Sequence, residues 1–87
     1  MHESGLMRGV ISDLEALART HDSKRIVGVV LQIRDRGDFP GEHFVEHLQA
    51  LAVGTVIEGA HIKVEMLRDP DHLGSPAITI QRIEVPS

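Results

Sequence analysis

Cysteine, tryptophan and tyrosine are absent from this 87-residue chain, and phenylalanine occurs twice. Without cysteine there is no disulfide framework, no thiolate zinc site and no cysteine nucleophile. A small disulfide-free chain fits the cytosol, so a cytoplasmic location is expected. With so few aromatic rings, base stacking has little to work with. Positive charge is scarce as well. Nine Lys and Arg stand against thirteen Asp and Glu, a formal net charge of -4, and no basic cluster exceeds the pair Lys24–Arg25. A nucleic-acid partner is therefore not expected. The longest apolar runs, such as "IVGVVL", are too short to span a bilayer. Met1 is followed by His2 and Glu3, not by a basic stretch and an apolar run, so neither a signal peptide nor a membrane segment is expected.

What is present reads as one small domain over residues 1–87. Leu6, Val10, Leu14 and Leu17 recur at helical spacing, widened by Met7, Ile11 and Ala18, which predicts an amphipathic helix ending near "RTHDS". "RIVGVVLQI" (25–33) is β-branched and short, and predicts a strand with Val27, Val29, Leu31 and Ile33 on one face. Its other face, Ile26, Gly28, Val30 and Gln32, is only half polar. Such a strand is central or covered by something else, and a second subunit is a candidate cover. Pro40 suits the first position of a helix carrying Phe44, Leu48 and Leu51, with Gly54 as its stop. "AHIKVEML" (60–67) alternates, with Ile62, Val64 and Met66 on one face. In "AITIQRIEV" (77–85) the phase slips between Ile80 and Ile83, which a β-bulge near Gln81 reconciles. The expected fold is α+β, in the order α-β-α-β-β, with both helices on one face of a three-stranded mixed sheet.

Two groups of residues have metal-binding chemistry. At Met1–His2–Glu3, an unblocked amine, the His2 amide nitrogen and the His2 imidazole can close successive chelate rings. A d8 ion such as Ni(II) can deprotonate that amide and take square-planar nitrogen donors. Glu3 adds a carboxylate or orients a ligand. A bulky residue such as His at position 2 disfavours removal of Met1. The second group is His43 and His47, four apart on the predicted second helix and so on one face. Glu42 and Glu46 lie beside them. The plainer reading of that face is a solvated helix surface. No nucleophilic triad, phosphate cradle or paired-carboxylate motif is visible, so an enzyme is not expected.

"MHESGLMRGVISDLEALARTHDSKRIVGVVLQI" resembles the opening of the HypA/HybF family of hydrogenase maturation proteins. "RDRGDFPGEHFVEHLQALAVGTVIEGAHIKVE" resembles the family's second helix, its "GT…EGA" connection and the following strand, and "ITIQRIEV" resembles its closing strand. The resemblance runs through nearly the whole chain in one register. It implies a small nickel metallochaperone in which the Met1 amine, His2 and Glu3 hold Ni(II). By the same resemblance the partners are a maturation GTPase, the hydrogenase large subunit, or both; the half-apolar outer face of the 25–33 strand separately makes a homodimer a candidate assembly.

The chain departs from that family pattern in two places. Family members carry a zinc domain with two Cys-x-x-Cys pairs between the last two strands. Here a short loop near 68–76, "LRDPDHLGSP" with its flank, fills that place, and no zinc is expected. An acidic residue that the family can place ahead of the second helix falls on Pro40. Asp38 and Glu42 flank it as substitutes and join His43 and His47 as secondary metal-ligand candidates. These departures motivate an alternative: a metal-independent interaction or assembly module that kept the fold and lost nickel delivery.

Overall fold

A computed structural model describes residues 3–86, and of residues 3 and 4 the backbone only. The elements are α1 (Glu3–Thr20), β1 (Gly28–Asp35), α2 (Gly41–Leu51), β2 (His61–Arg68) and β3 (Ala77–Glu84), in the expected order. The strands form one mixed sheet in the order β2-β1-β3, with β2 parallel and β3 antiparallel to β1. β1 is thus the central strand, which explains its apolar residues on both faces. No helix among the described residues is long and apolar enough to cross a membrane.

The helical stripes pack as their spacing requires. Met7, Val10, Leu14 and Ala18 of α1, and Phe44 and Leu48 of α2, are buried against Val29, Leu31 and Ile33 of β1. Each fully buried Leu, Ile, Met or Phe side chain contributes about 1.5–3 kcal/mol relative to exposure. α1 ends with Asp22 at positive φ, while the Ser23 N–H donates to the Ala18 carbonyl at 2.8 Å and the Asp22 N–H to that of Arg19 at 3.0 Å. This is the Schellman pattern of a helix C-terminus. Gly54 has φ +82, a region glycine enters without Cβ strain, and its N–H donates to Glu58 Oε1 at 2.6 Å.

Several boundaries differ from the expected ones. The central strand begins at Gly28, three residues later than its composition suggests. Ile26 turns into the core, its N–H donating to the Val56 carbonyl at 2.9 Å, whereas Val27 is 38% exposed. Val27 precedes β1, and with Ile26 turned inward beside it the parity with Val29 no longer buries it. Met66 is 46% exposed because it lies on the edge strand β2, beside the start of α2. Pro40 is the residue that caps α2, one position before the helix, and its carbonyl accepts the Phe44 N–H at 3.0 Å. The second helix ends at Leu51, with Ala52 as its C-cap, before Gly54 is reached.

The bulge falls where the phase slip placed it. Val30 pairs with Arg82 and Leu31 with Ile80, so Gln81 is the extra residue. Deleting Gln81 makes those two pairs consecutive and restores strict alternation, with Ile80 and Ile83 still on the helix side. The deletion is expected to change stability by no more than about 1 kcal/mol in urea unfolding. Deleting Thr79 instead turns an isoleucine outward, at a cost of about 1.5–3 kcal/mol. Equal midpoints for the two deletions would refute this account of the strand.

Candidate functional site

β1, α2 and β2 form a parallel βαβ unit, so α2 runs antiparallel to the strands. The C-terminal half of α1 lies at the same end as the end of α2. Arg8, Ile11, Ser12 and Glu15 line one groove with Leu51 and Thr55, and Ser23 folds back onto Ala18 just before Ile26 meets Val56. The two helices are therefore parallel. Both begin at the end of the sheet where β1 finishes. At 1.5 Å per residue, the start of α1 at Glu3 and the segment Asp38–Glu42 come to that same end.

Of the expected chelate, Met1 and His2 lie outside the described residues, and Glu3 is described only as the first residue of α1. Asp38 is exposed in the turn before Pro40, and Glu42 is exposed in the first turn of α2. His43 and His47 are exposed on α2, their ring centroids 6.4 Å apart and tilted by 59°. α2 separates these donors. Val45 and Glu42 line a groove with Val64 and Met66 of β2, so that flank faces the sheet edge. Leu51, one turn beyond His47, faces α1, which puts His43 and His47 on the opposite flank. Among the described residues no three His, Asp or Glu side chains are grouped to hold a metal ion.

The same end of the sheet holds a carboxylate that sequence reasoning missed. Asp35, the last residue of β1, is only 4% exposed. Its Oδ2 accepts the Phe39 N–H at 2.6 Å, and its carbonyl accepts the Asp69 N–H at 2.7 Å. Its Oδ1 is buried without a hydrogen-bond partner among the described residues. Asp35 thus fixes the turn that launches α2. Gly37 in that turn has φ +109 and lies under the Arg68 side chain, where a Cβ would stand 2.4 Å from Nε. The available signal was an Asp at a strand end opening a polar turn, a residue type that accepts from nearby backbone N–H groups.

On the side of the sheet away from the helices, Val30, Lys63, Glu65, Gln81 and Arg82 line a shallow open groove. The outer face of β1 is therefore half-buried by its neighbours' long side chains.

These features define a two-layer α+β domain that brings the start of both helices and several metal-ligating residue types to one end. Two strains of Desulfitobacterium hafniense, DCB-2 and Y51, each have a curated hydrogenase maturation factor HypA that is 37% identical to this chain over 67 residues. The match covers 77% of this chain and 59% of each relative, so the chain spans less than two thirds of the length of the relatives it matches. No protein-family model matches the chain. Over that stretch the chain is similar to the HypA hydrogenase maturation factors.

Proposed function

We propose that this chain acts in hydrogenase maturation as a nickel-handling domain, with Ni(II) as cargo held by the Met1 amine, the His2 amide and imidazole, and Glu3. The observation that carries this reading is the likeness to HypA factors across 77% of the chain. It is supported by the placement of Glu3 as the first residue of α1, at the end where Asp38 and Glu42 lead into α2. A carboxylate from that segment is positioned to supply an outer ligand or to orient one. Residues 1–87 then work as one nickel-binding domain, and the loop 69–76 between β2 and β3 stands where the family inserts its zinc module. The partners are the proteins that receive or drive transfer of the ion, by resemblance a maturation GTPase and the hydrogenase large subunit, in the cytoplasm. The role is cargo transfer without bond-making catalysis.

A surface chelate built on the first residues suits transfer, because an acceptor can replace its donors one at a time. The test is calorimetric titration of Ni(II) into protein that begins with a free Met1 amine, beside the His2→Ala variant. One equivalent bound with a yellow d–d band, and at least about a hundredfold weaker binding after the substitution, is the expected result, since each tenfold is 1.4 kcal/mol. Wild-type affinity in His2→Ala would overturn the N-terminal assignment. No Ni(II) binding by either protein would favour the metal-independent module.

A further inference from the structure

The geometry points to a second metal site, separate from the N-terminal chelate: His43 and His47 as a two-imidazole clamp for a borderline divalent cation such as Ni(II), Zn(II) or Cu(II). Imidazole suits these ions. The two rings stand one helical turn apart on an exposed flank of α2, with centroids at 6.4 Å. With ligand bonds of about 2.0–2.1 Å, two imidazoles in adjacent positions of one ion have ring centres roughly 4.5–5 Å apart. Rotation about χ1 and χ2 of the two exposed side chains, with the His47 ring exchanging its present interaction for the ion, closes that gap without moving the helix. The helix itself is held by Phe44 and Leu48, both fully buried, so the backbone spacing of the pair is fixed before any ion arrives. This pre-organisation reduces the ordering cost of binding.

The surroundings fit an open site. Glu46, exposed on the same helix, adds negative charge near the pair without joining it, while Glu42 lies on the β2 flank. No third His, Asp or Glu among the described residues completes the set. The ion therefore keeps water in its remaining positions, and the site is weaker and faster-exchanging than a closed one. Its flank faces α1, where Leu51 meets Ile11 and Ser12, so it lies along the helix seam that leads towards the start of α1. An ion released from the clamp is close to the end of the domain where Glu3 begins that helix. The clamp itself does not depend on the nickel reading above.

Spectroscopy separates the two sites. A square-planar Ni(II) chelate is diamagnetic, whereas Ni(II) on two imidazoles and water is six-coordinate and paramagnetic. The experiment titrates Ni(II) alone into the His2→Ala protein and follows the histidine ring protons by NMR. Selective broadening of the His43 and His47 signals ahead of His21, His61 and His72 is expected. Loss of even an outer-sphere partner of a metal ligand weakens binding about 10–100-fold, so His43→Gln or His47→Gln should each lower the Ni(II) affinity at least about tenfold. Glutamine keeps the exposed helix intact, which circular dichroism of the variants checks. Uniform broadening of all histidines would overturn the proposal, as would unchanged affinity in the His43→Gln/His47→Gln double variant. Neither result bears on the N-terminal chelate, which is already disabled in this background.

Discussion

Replacing Phe44 with alanine is expected to leave the domain largely unfolded at physiological temperature. Phe44 is fully buried and is the largest of the fully buried side chains, its ring centroid 5.4 Å from that of Phe39 at a tilt of 56°. Truncating a buried Phe to Ala costs about 3–5 kcal/mol, through lost transfer energy and the cavity left behind. An 87-residue domain at roughly 0.05–0.15 kcal/mol per residue has about 4–13 kcal/mol in total. The lower part of that range is the relevant one for so small a core. The damage is larger here than a lone cavity, because Phe44 shares a cluster with the turn fixed by Asp35 through the Phe39 N–H. In urea the midpoint should fall by one molar or more at a slope of about 1–3 kcal/mol per molar. Phe44→Leu, which keeps an apolar side chain in the site, should retain a cooperative transition. An unchanged midpoint in Phe44→Ala would mean that the core is not organised around α2.

Much of this architecture was legible because it depends on periodicity. The helical stripes through Val10 and Leu14, and through Phe44 and Leu48, identified which residues face the sheet. The two-sided apolar character of Val29, Val30, Leu31 and Ile33 marked the central strand. The change of parity between Ile80 and Ile83 located the bulge at Gln81. Periodicity does not say how far the helical cover reaches, however. Val27 and Met66 have the parity of core residues and are exposed, Val27 just ahead of the first residue of β1 and Met66 on the edge strand β2. Asp35 was hidden for a different reason. It belongs to a segment that reads as a polar turn, "RDRGDFPGE", and its burial comes from β2 and the Asp69 segment, 34 positions away, closing beside it. The spacing of His43 and His47 placed them on one face. Only the packing of α2 between α1 and β2 decides that this face looks towards α1 while Glu42 looks towards β2. The residues of the candidate sites were thus named by local chemistry, and their grouping was set by tertiary contacts.

The other large effect concerns the terminal amine. Nα-acetylation of Met1 is expected to abolish square-planar nickel binding while leaving the fold unchanged, since the change is confined to the terminal amine and alters no side chain. The acetylated nitrogen is an amide whose delocalised lone pair cannot anchor the ion, and the chelate loses the ring that lets Ni(II) displace the amide proton of His2. Adding a single residue ahead of Met1 is a poor substitute for this control. It moves His2 to the third position, where an amine, two amides and an imidazole again surround an ion in a plane. Acetylation, or an extension of several residues, removes the chelate cleanly. Protons provide a second readout. Amine, amide and imidazole must each shed a proton to bind, so affinity rises steeply from mildly acidic to mildly alkaline pH. With the amine blocked, that steep rise should flatten to the shallow dependence of isolated imidazoles, and any remaining Ni(II) should be paramagnetic. If acetylated protein keeps both the yellow band and the steep pH profile, the ion is held elsewhere, and Met1 and His2 are not the donors.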